Sequence, residues 1–441
     1  MIKCAFASLG CAKNLVDTEN MMGYIKDNGM SIVSDETKAD VIIVNTCAFI
    51  EDAAQESCDR ILELSKLRES GSAKCLIVTG CLPERYGKSL MEEIPEIDAI
   101  LGTGEFGRIA EVIGKALTGE RDGYFCAPGF LAHAKSPRVV STPKHYAYLK
   151  VADGCVNRCA YCLIPKLRGE YRSRLEDEIL DEALRLSKNG MREALVIAQD
   201  TTRYGEDIHG SLMLPKLLKD ISKIDEIDWI RLMYAYPTKV TDELIEVMAT
   251  NDKILKYVDL PMQHGSDEIL KSMNRPMDQK MLIDIVDKLR SRMPGMILRT
   301  TFIVGFPGEK ERHIEELLEF IDAIKPERAG VFTYSREEGT PAYDYPDQVT
   351  KKEKKIRQQI VMEKLMEISR EFGASRVGSE VDAYVEGVSS ESELVVEARS
   401  YAEAPDVDGR IYIGDATLKA GDKVRVRITE SNDYDLAAEV I

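Results

Sequence analysis

Six of the ten cysteines fall into two triplets whose spacing could carry metal chemistry. The first triplet is local. Cys155, Cys159 and Cys162 lie in Asp153-Gly154-Cys155-Val156-Asn157-Arg158-Cys159-Ala160-Tyr161-Cys162, directly after an apolar run, Tyr146 to Val151, that reads as a buried strand. A closed tetrahedral zinc site takes four protein ligands, so three thiolates in one loop leave a metal centre one ligand short. A four-iron, four-sulfur cube takes one thiolate per iron, and three cysteines would leave one iron open to a small molecule. A zinc site with a distant fourth ligand, or buried structural cysteines, remain as alternatives on spacing alone.

The second triplet is dispersed. Cys11, Cys47 and Cys81 follow the apolar runs Lys3 to Ser8, Val41 to Val44 and Leu76 to Thr79, at intervals of 36 and 34 residues. Those intervals are about one strand–helix repeat. In an open parallel sheet the loops after the strands gather at the carboxyl edge, so these three should meet in space and form a second site short of one ligand. Cys4, Cys58, Cys75 and Cys126 lack the pattern and read as ordinary small buried residues.

The elements that must position these residues suggest an α/β protein in three parts. Residues 1–126 alternate strand and helix, as an open parallel sheet does. A stretch at 127–145, rich in proline and without periodicity, reads as a linker. Residues 146–375 hold about six strand–helix units, which predicts a partial TIM-like βα barrel with its chemistry at the carboxyl strand ends, followed by a long exit helix from Val349 to Phe372. Residues 376–441 carry five short strands with period-two alternation, which predicts a small antiparallel β-barrel.

The strand ends of the central part supply the remaining candidates. Gln199 and Asp200 suit polar groups of a ligand, Gly305 would let the backbone approach one closely, and Arg299 would point into the barrel toward a carboxylate. His264 reads as a hydrogen-bonded structural imidazole. No protein acid or base is assigned. The basic start of the exit helix, Lys351, Lys352, Lys354 and Lys355, reads as solvated.

Composition narrows the classes. A chain of 441 residues suggests two to four domains. Ten cysteines are too sparse for a disulfide scaffold. No run of ~18 apolar residues exists, which argues against a membrane span; Met1 to Ser8 lacks the form of a signal peptide, so the cytoplasm is expected. The net charge of −17 argues against broad nucleic-acid binding. Arg376 to Ile441 alone carry seven Lys and Arg against fifteen Asp and Glu, a net of −8, which repels phosphates and attracts a basic protein.

The C-x3-C-x2-C loop, with Tyr161 before its third cysteine, resembles the signature of radical S-adenosylmethionine (SAM) enzymes. That resemblance implies a [4Fe-4S] cluster on Cys155, Cys159 and Cys162 whose open iron binds SAM and whose electron releases a 5′-deoxyadenosyl radical. It also puts Tyr161, Gln199, Asp200, Arg299 and Gly305 near SAM. Ser8-Leu9-Gly10-Cys11, Asn45-Thr46-Cys47 and Gly80-Cys81-Leu82 resemble the methylthiotransferase N-terminal domain, which implies an auxiliary [4Fe-4S] cluster on Cys11, Cys47 and Cys81 that delivers sulfur. The last module resembles TRAM.

Over essentially the whole chain the closest resemblance is to the RimO family of ribosomal-protein aspartate methylthiotransferases. It is carried by Ala198-Gln199-Asp200-Thr201-Thr202, Leu260-Pro261-Met262-Gln263-His264, Met273-Asn274-Arg275-Pro276 and Arg399 through Gly409. It implies methylthiolation at the β-carbon of an aspartate in small-subunit ribosomal protein twelve, with a flavodoxin- or ferredoxin-type reductant and a sulfur donor as partners. The alternatives are a transfer-RNA adenosine methylthiotransferase of the MiaB type and a non-catalytic iron–sulfur protein.

Overall fold

A computed structural model describes residues 1–126, 131 and 136–441. Six parallel strands make the first sheet: β1 (Lys3–Ser8), β2 (Ser31–Ile32), β3 (Val41–Thr46), β4 (Cys75–Gly80), β5 (Ala99–Leu101) and β6 (Asp122–Tyr124). Their order is β2-β1-β3-β4-β5-β6. Val41 to Val44 and Leu76 to Val78 are wholly buried, as continuous apolar runs in a sheet covered on both faces must be. The order reverses beside β1, which opens a crevice at the carboxyl edge. Cys11 and Cys47 follow the two strands that flank this crevice.

The central sheet is also six-stranded and parallel: β7 (Tyr146–Lys150), β8 (Glu193–Ile197), β9 (Trp229–Leu232), β10 (Ile254–Asp259), β11 (Ile297–Val304) and β12 (Arg328–Thr333). Each strand pairs with its sequence neighbour, and β7 and β12 remain as edges, so the barrel is incomplete. Alternation splits each strand between two faces. Leu149, Val196, Leu232, Val258 and Leu298 pack against helix residues such as Ile179, Leu217, Leu282 and Leu317. The opposite, concave face carries aromatics, Tyr146, Tyr148, Trp229 and Tyr257, interleaved with Lys150, Glu193, Arg231, Asp259, Arg299 and Arg328.

The C-terminal module is a closed five-stranded barrel of β13 (Glu380–Val388), β14 (Val396–Arg399), β15 (Ile411–Ile413), β16 (Lys423–Ser431) and β17 (Leu436–Val440). It is not wholly antiparallel: β15 runs parallel to β17, with Ile411 opposite Leu436. Sequence alternation sets which residues face inward and is blind to this choice of direction.

The stretch from Arg399 to Asp408 reaches from this barrel into the concave face of the central sheet. Arg399 Nη2 meets Glu193 Oε2 at 2.8 Å, and Arg231 Nε meets Glu193 Oε1 at 2.7 Å. Arg231 Nη1 donates to Tyr401 O at 2.8 Å, and Arg328 Nη2 meets Glu403 Oε1 at 2.8 Å. The hydroxyls of Tyr148 and Tyr257 donate to Asp406 and Asp408 at 3.2 and 2.6 Å. Burial pushes the Glu193 carboxyl up, but Arg399 and Arg231 outweigh it and hold it at about 2. Glu403 is held at about 2 against the same burial by Arg376 and Arg328.

Two results are expected from this seam. Glu193→Leu leaves the buried Arg231 without a carboxylate and Arg399 with Glu386 alone, at 2.7 Å, and costs about 3–5 kcal/mol in chemical denaturation. Because both carboxyls titrate lower folded than unfolded, their stabilisation is complete above the ordinary carboxylate range, about pH 4.3, and is lost as pH falls toward 2. Tryptophan fluorescence of Trp229, which packs on Tyr384 at 4.8 Å, reports this loss. A seam unchanged between pH 5 and pH 2.5 contradicts the assignment.

Residues 127–130 and 132–135 of the expected linker lie outside the described residues. Beyond them, Arg138 pairs with Glu19 at 2.6 Å and Glu182 at 2.7 Å, fastening the chain to helix α1 (Ala12–Asp27). The exit helix runs over Lys351–Arg376. Lys351, Lys352 and Lys355 are exposed, whereas Lys354 is buried and donates to Tyr334 O at 2.6 Å, a departure from the solvated reading.

Candidate functional site

All six motif cysteines line one cavity of about 310 Å³, between the carboxyl edges of the two parallel sheets. On the first sheet, Gly10 permits the approach of two cysteine loops. A Cβ there would stand 2.7 Å from Cys47 Cβ and 3.1 Å from Cys47 Sγ. Asn14 Nδ2 donates to Leu9 O and Thr46 O at 3.1 and 2.9 Å, and Asn45 Nδ2 donates to Asn14 O at 2.8 Å. These bonds tie the β1 and β3 loops together.

On the central sheet, Gly154 turns the chain out of the β7 region at φ +80°, and a Cβ would lie 2.1 Å from Glu170 O. Its neighbour Cys155 N donates to Gly169 O at 3.1 Å. Gly154→Ala meets both a left-handed backbone, about 1–2 kcal/mol for an L residue, and a backbone clash. Its expected outcome is loss of iron loading on Cys155, Cys159 and Cys162, read by iron content after anaerobic reconstitution; full loading would contradict it.

The thiols sit in a setting that fits thiolate–iron ligation. Asn157 N donates to Cys155 Sγ and Ile164 N to Cys162 Sγ, both at 3.5 Å. Such N–H donors stabilise ligated sulfur. Burial pushes Cys81 up to about 12 and Cys155 to about 11, so these thiols stay protonated until a metal takes the proton's place. At Cys11 burial acts the same way, but Lys13, Arg168 and the backbone N–H groups of Asn14 and Lys13 prevail and lower it. Among the described residues no group of three or more His, Cys, Asp or Glu is arranged to hold a single metal ion. A cubane spreads its thiolates over different irons, so its ligands need not converge on one point.

Beneath the cavity runs a buried charged seam between the two sheets. Arg168 Nη1 lies 2.5 Å from Asp17 and 3.3 Å from Asp153, and Arg168 Nη2 donates to Asn14 Oδ1. Lys150 Nζ lies 2.5 Å from Asp17 and 3.1 Å from Asp153. Burial raises the Asp153 carboxyl, but Lys150 and Arg168 hold it well below the usual carboxylate range. Asp17 and Asn14 belong to α1, Lys150 and Asp153 to the central part, so the seam fixes one triplet relative to the other.

The sequence candidates divide. Tyr161 and Gln199 line the cavity with the cysteines. Gln199 Nε2 donates to Asp153 Oδ1 at 2.7 Å, and its Oε1 is buried with no partner. Asp200 does not line it. Its carboxylate accepts from Asn157 Nδ2 at 2.9 Å and Thr202 Oγ1 at 2.7 Å, bracing the cluster loop from behind. Arg299 lies on the concave face, 3.0 Å from Asp259 and 3.5 Å from Asp408, and lines a separate cavity beside the C-terminal barrel. Gly305 N donates to Glu309 Oε1 at 2.8 Å, and a Cβ there would strike Lys354 at 2.3 Å, so it serves the exit helix. His264 is wholly buried, its Nδ1 accepting from Ser266 N at 2.9 Å and its Nε2 3.3 Å from Glu309. Cys4 and Cys75 are buried, Cys58 is half-buried and Cys126 is exposed; the last two depart from the buried reading.

Sequence reasoning missed Lys13, Tyr234, Tyr236 and Arg275 as cavity residues. Lys13 Nζ sits 3.3 Å from the Tyr234 ring centroid, and the Arg275 guanidinium 4.7 Å from that of Tyr236. Arg275 Nη1 also lies 3.8 Å from Cys159 Sγ and 3.5 Å from the Tyr161 hydroxyl. The available signals were Tyr234-Ala235-Tyr236 at a strand end and Arg275 within Met273-Asn274-Arg275-Pro276.

Comparison with known proteins matches the uncharacterized protein family UPF0004 over residues 3–102, the radical SAM superfamily over 149–321 and the TRAM domain over 377–441. Among solved structures, the radical SAM methyltransferase TsrM from Kitasatospora setae is similar at TM-score 0.55 and 14% identity, over 77% of this chain and 76% of that one. The cobalamin-dependent SAM radical enzyme OxsB is similar at TM-score 0.52 and 15% identity, over 84% and 56%. At those identities the likeness is one of fold. Ribosomal protein uS12 methylthiotransferase RimO of Thermoanaerobacter sp. (strain X514) is 49% identical over 433 residues, 98% of each chain. The protein of that name from Geotalea uraniireducens (strain Rf4) is 45% identical over 440 residues, 100% of this chain and 98% of its own. With identity at that level sustained from the first cysteine loop to the last barrel strand, this chain belongs to the RimO family of radical SAM methylthiotransferases.

Proposed function

We propose that the protein is a radical SAM methylthiotransferase that adds a methylthio group to the β-carbon of an aspartate in ribosomal protein uS12. The observation that carries the reading is the single cavity walled by both cysteine triplets, in a chain of this family. Cys155, Cys159 and Cys162 would hold a [4Fe-4S] cluster with one iron left for SAM, and Cys11, Cys47 and Cys81 a second. When bound, these groups supply hydrogen abstraction from an unactivated C–H bond and sulfur for insertion.

The chain's own residues bind, orient and exclude water. Gln199, its amide nitrogen committed to Asp153, turns its unpartnered Oε1 to accept from an N–H or O–H of SAM, with Tyr161 beside it. The aromatic rings of Tyr234 and Tyr236 cover the cavity wall and keep a reactive carbon away from bulk water. No general base is needed, because a methylene C–H has no useful acidity, and the lining residues offer no His, Asp or Glu. We place the activity in the cytoplasm, with a flavodoxin- or ferredoxin-type reductant and an external sulfur source. No helix of the described residues is long and apolar enough to cross a membrane.

The test is anaerobic reconstitution, incubation with SAM, sulfide and reductant, and mass spectrometry of uS12 and transfer RNA in parallel. The expected product is methylthio-aspartate in uS12 with transfer RNA unchanged. Modified adenosine with unmodified uS12 would replace this reading by the MiaB-type alternative, which the acidic C-terminal barrel disfavours.

A further inference from the structure

Three cations line the cavity, Lys13, Arg168 and Arg275. Arg168 is saturated by Asp17 and Asp153. Among the described residues neither Lys13 nor Arg275 has a carboxylate within ion-pair distance, although both are buried, at 7% and 5% exposure. A buried charge left without a counter-charge is costly. Two such charges facing one cavity therefore call for anionic ligands. Arg275 stands against Cys159 and Tyr161, on the SAM side. Lys13 stands on the other side, two residues after Cys11, and reaches across to the Tyr234 ring of the central part. Asp259, the carboxylate behind that ring, is already committed to Arg299 at 3.0 Å and to Tyr234 N at 2.9 Å.

We infer that Lys13 receives the side-chain carboxylate of the substrate aspartate and thereby determines specificity for an acidic side chain. The inference rests on the functional reading above. Its geometric basis is that Lys13 lines the cavity walled by both triplets, with its Nζ over the Tyr234 ring of the central part, so a carboxylate bound there would hold the adjoining β-carbon in that cavity. The tyrosine face beneath the ammonium keeps the charge in place when no substrate is bound, while leaving its hydrogen-bond donors for an oxygen acceptor. Lys13 is thus a binding residue for substrate.

The test compares uS12 with a variant in which the modified aspartate, located by the mass spectrometry above, is replaced by Asn. Dissociation constants are measured by fluorescence anisotropy on cluster-loaded enzyme without reductant, so that no turnover occurs. Wild-type enzyme is expected to prefer the aspartate form by about 10-fold to 100-fold, the worth of a charge-assisted bond. Lys13→Met is expected to bind both forms equally, and Lys13→Arg to restore part of the preference. A Lys13→Met protein that keeps the wild-type preference overturns the inference and leaves Lys13 as a counter-charge for the neighbouring thiolates. So does a wild-type enzyme with no preference, an arm that holds even if the variant fails to load iron. Wild-type enzyme that modifies no residue of uS12 overturns the functional reading instead, and this inference falls with it.

Discussion

Cys159→Ala abolishes reductive cleavage of SAM, with 5′-deoxyadenosine falling to the level of a protein-free control under dithionite. Cys159 is the middle cysteine of a loop whose backbone is fixed on both sides: Ala160 N donates to Met273 O at 2.9 Å, and Ala342 N donates to Ala160 O at 2.9 Å. No other sulfur can swing in. The remaining thiols of the cavity wall belong to the opposite sheet, and Cys4, Cys58, Cys75 and Cys126 do not line it. Two thiolates cannot hold a cubane that expects a ligand on each iron, so iron content should fall by about half while the auxiliary set stays loaded. Retained 5′-deoxyadenosine production by this variant would remove the first triplet from the reaction.

Cys47→Ala is expected to give the complementary result: SAM cleavage persists and methylthio-aspartate falls to background. Cys47 comes from the crevice of the first sheet, where Cys47 N donates to Ser57 Oγ at 3.1 Å and Ser57 Oγ donates to Cys47 O at 2.8 Å. Burial, the dominant influence, pushes its half-buried thiol up. The Asp17–Arg168–Asp153 seam beside the Cys155–Cys162 loop does not involve it. The measurement pairs chromatography of 5′-deoxyadenosine with mass spectrometry of uS12 on the same sample. Methylthio product from Cys47→Ala would sink the auxiliary-site assignment; loss of both activities would mean that the triplets are not independent ligand sets.

Much of the scaffold was legible because its signals are local. The strand runs Tyr146 to Val151 and Ile297 to Val304, and the helical run expected from Val349 to Phe372, observed over Lys351–Arg376, depend on neighbours in sequence. The meeting of Cys11, Cys47 and Cys81 was legible for another reason: parallel topology sends every post-strand loop to one edge, so three dispersed residues inherit a common location. Helix α1 was harder to read. Its Asn14, Asp17 and Glu19 look like a solvated polar face, yet all three are buried because the central part supplies Lys150 and Arg168 and the segment before it supplies Arg138. A pattern of polar residues records that partners are needed, not whether water or another domain provides them.

The sequence by itself determined the two cysteine triplets, the two parallel sheets, and the short strands and acidic character of the last module, since each follows from spacing, alternation or a count of charges. Only the tertiary structure decided that both triplets wall one cavity, that Asp200, Arg299 and Gly305 do not line it, and that Lys13 and Arg275 enter it with no carboxylate of the described residues within ion-pair distance. The physical reason is that a side chain's role depends on which charges and surfaces come within a few ångströms of it. For residues more than a hundred positions apart, as Asp17 and Arg168 are, that proximity is created by packing.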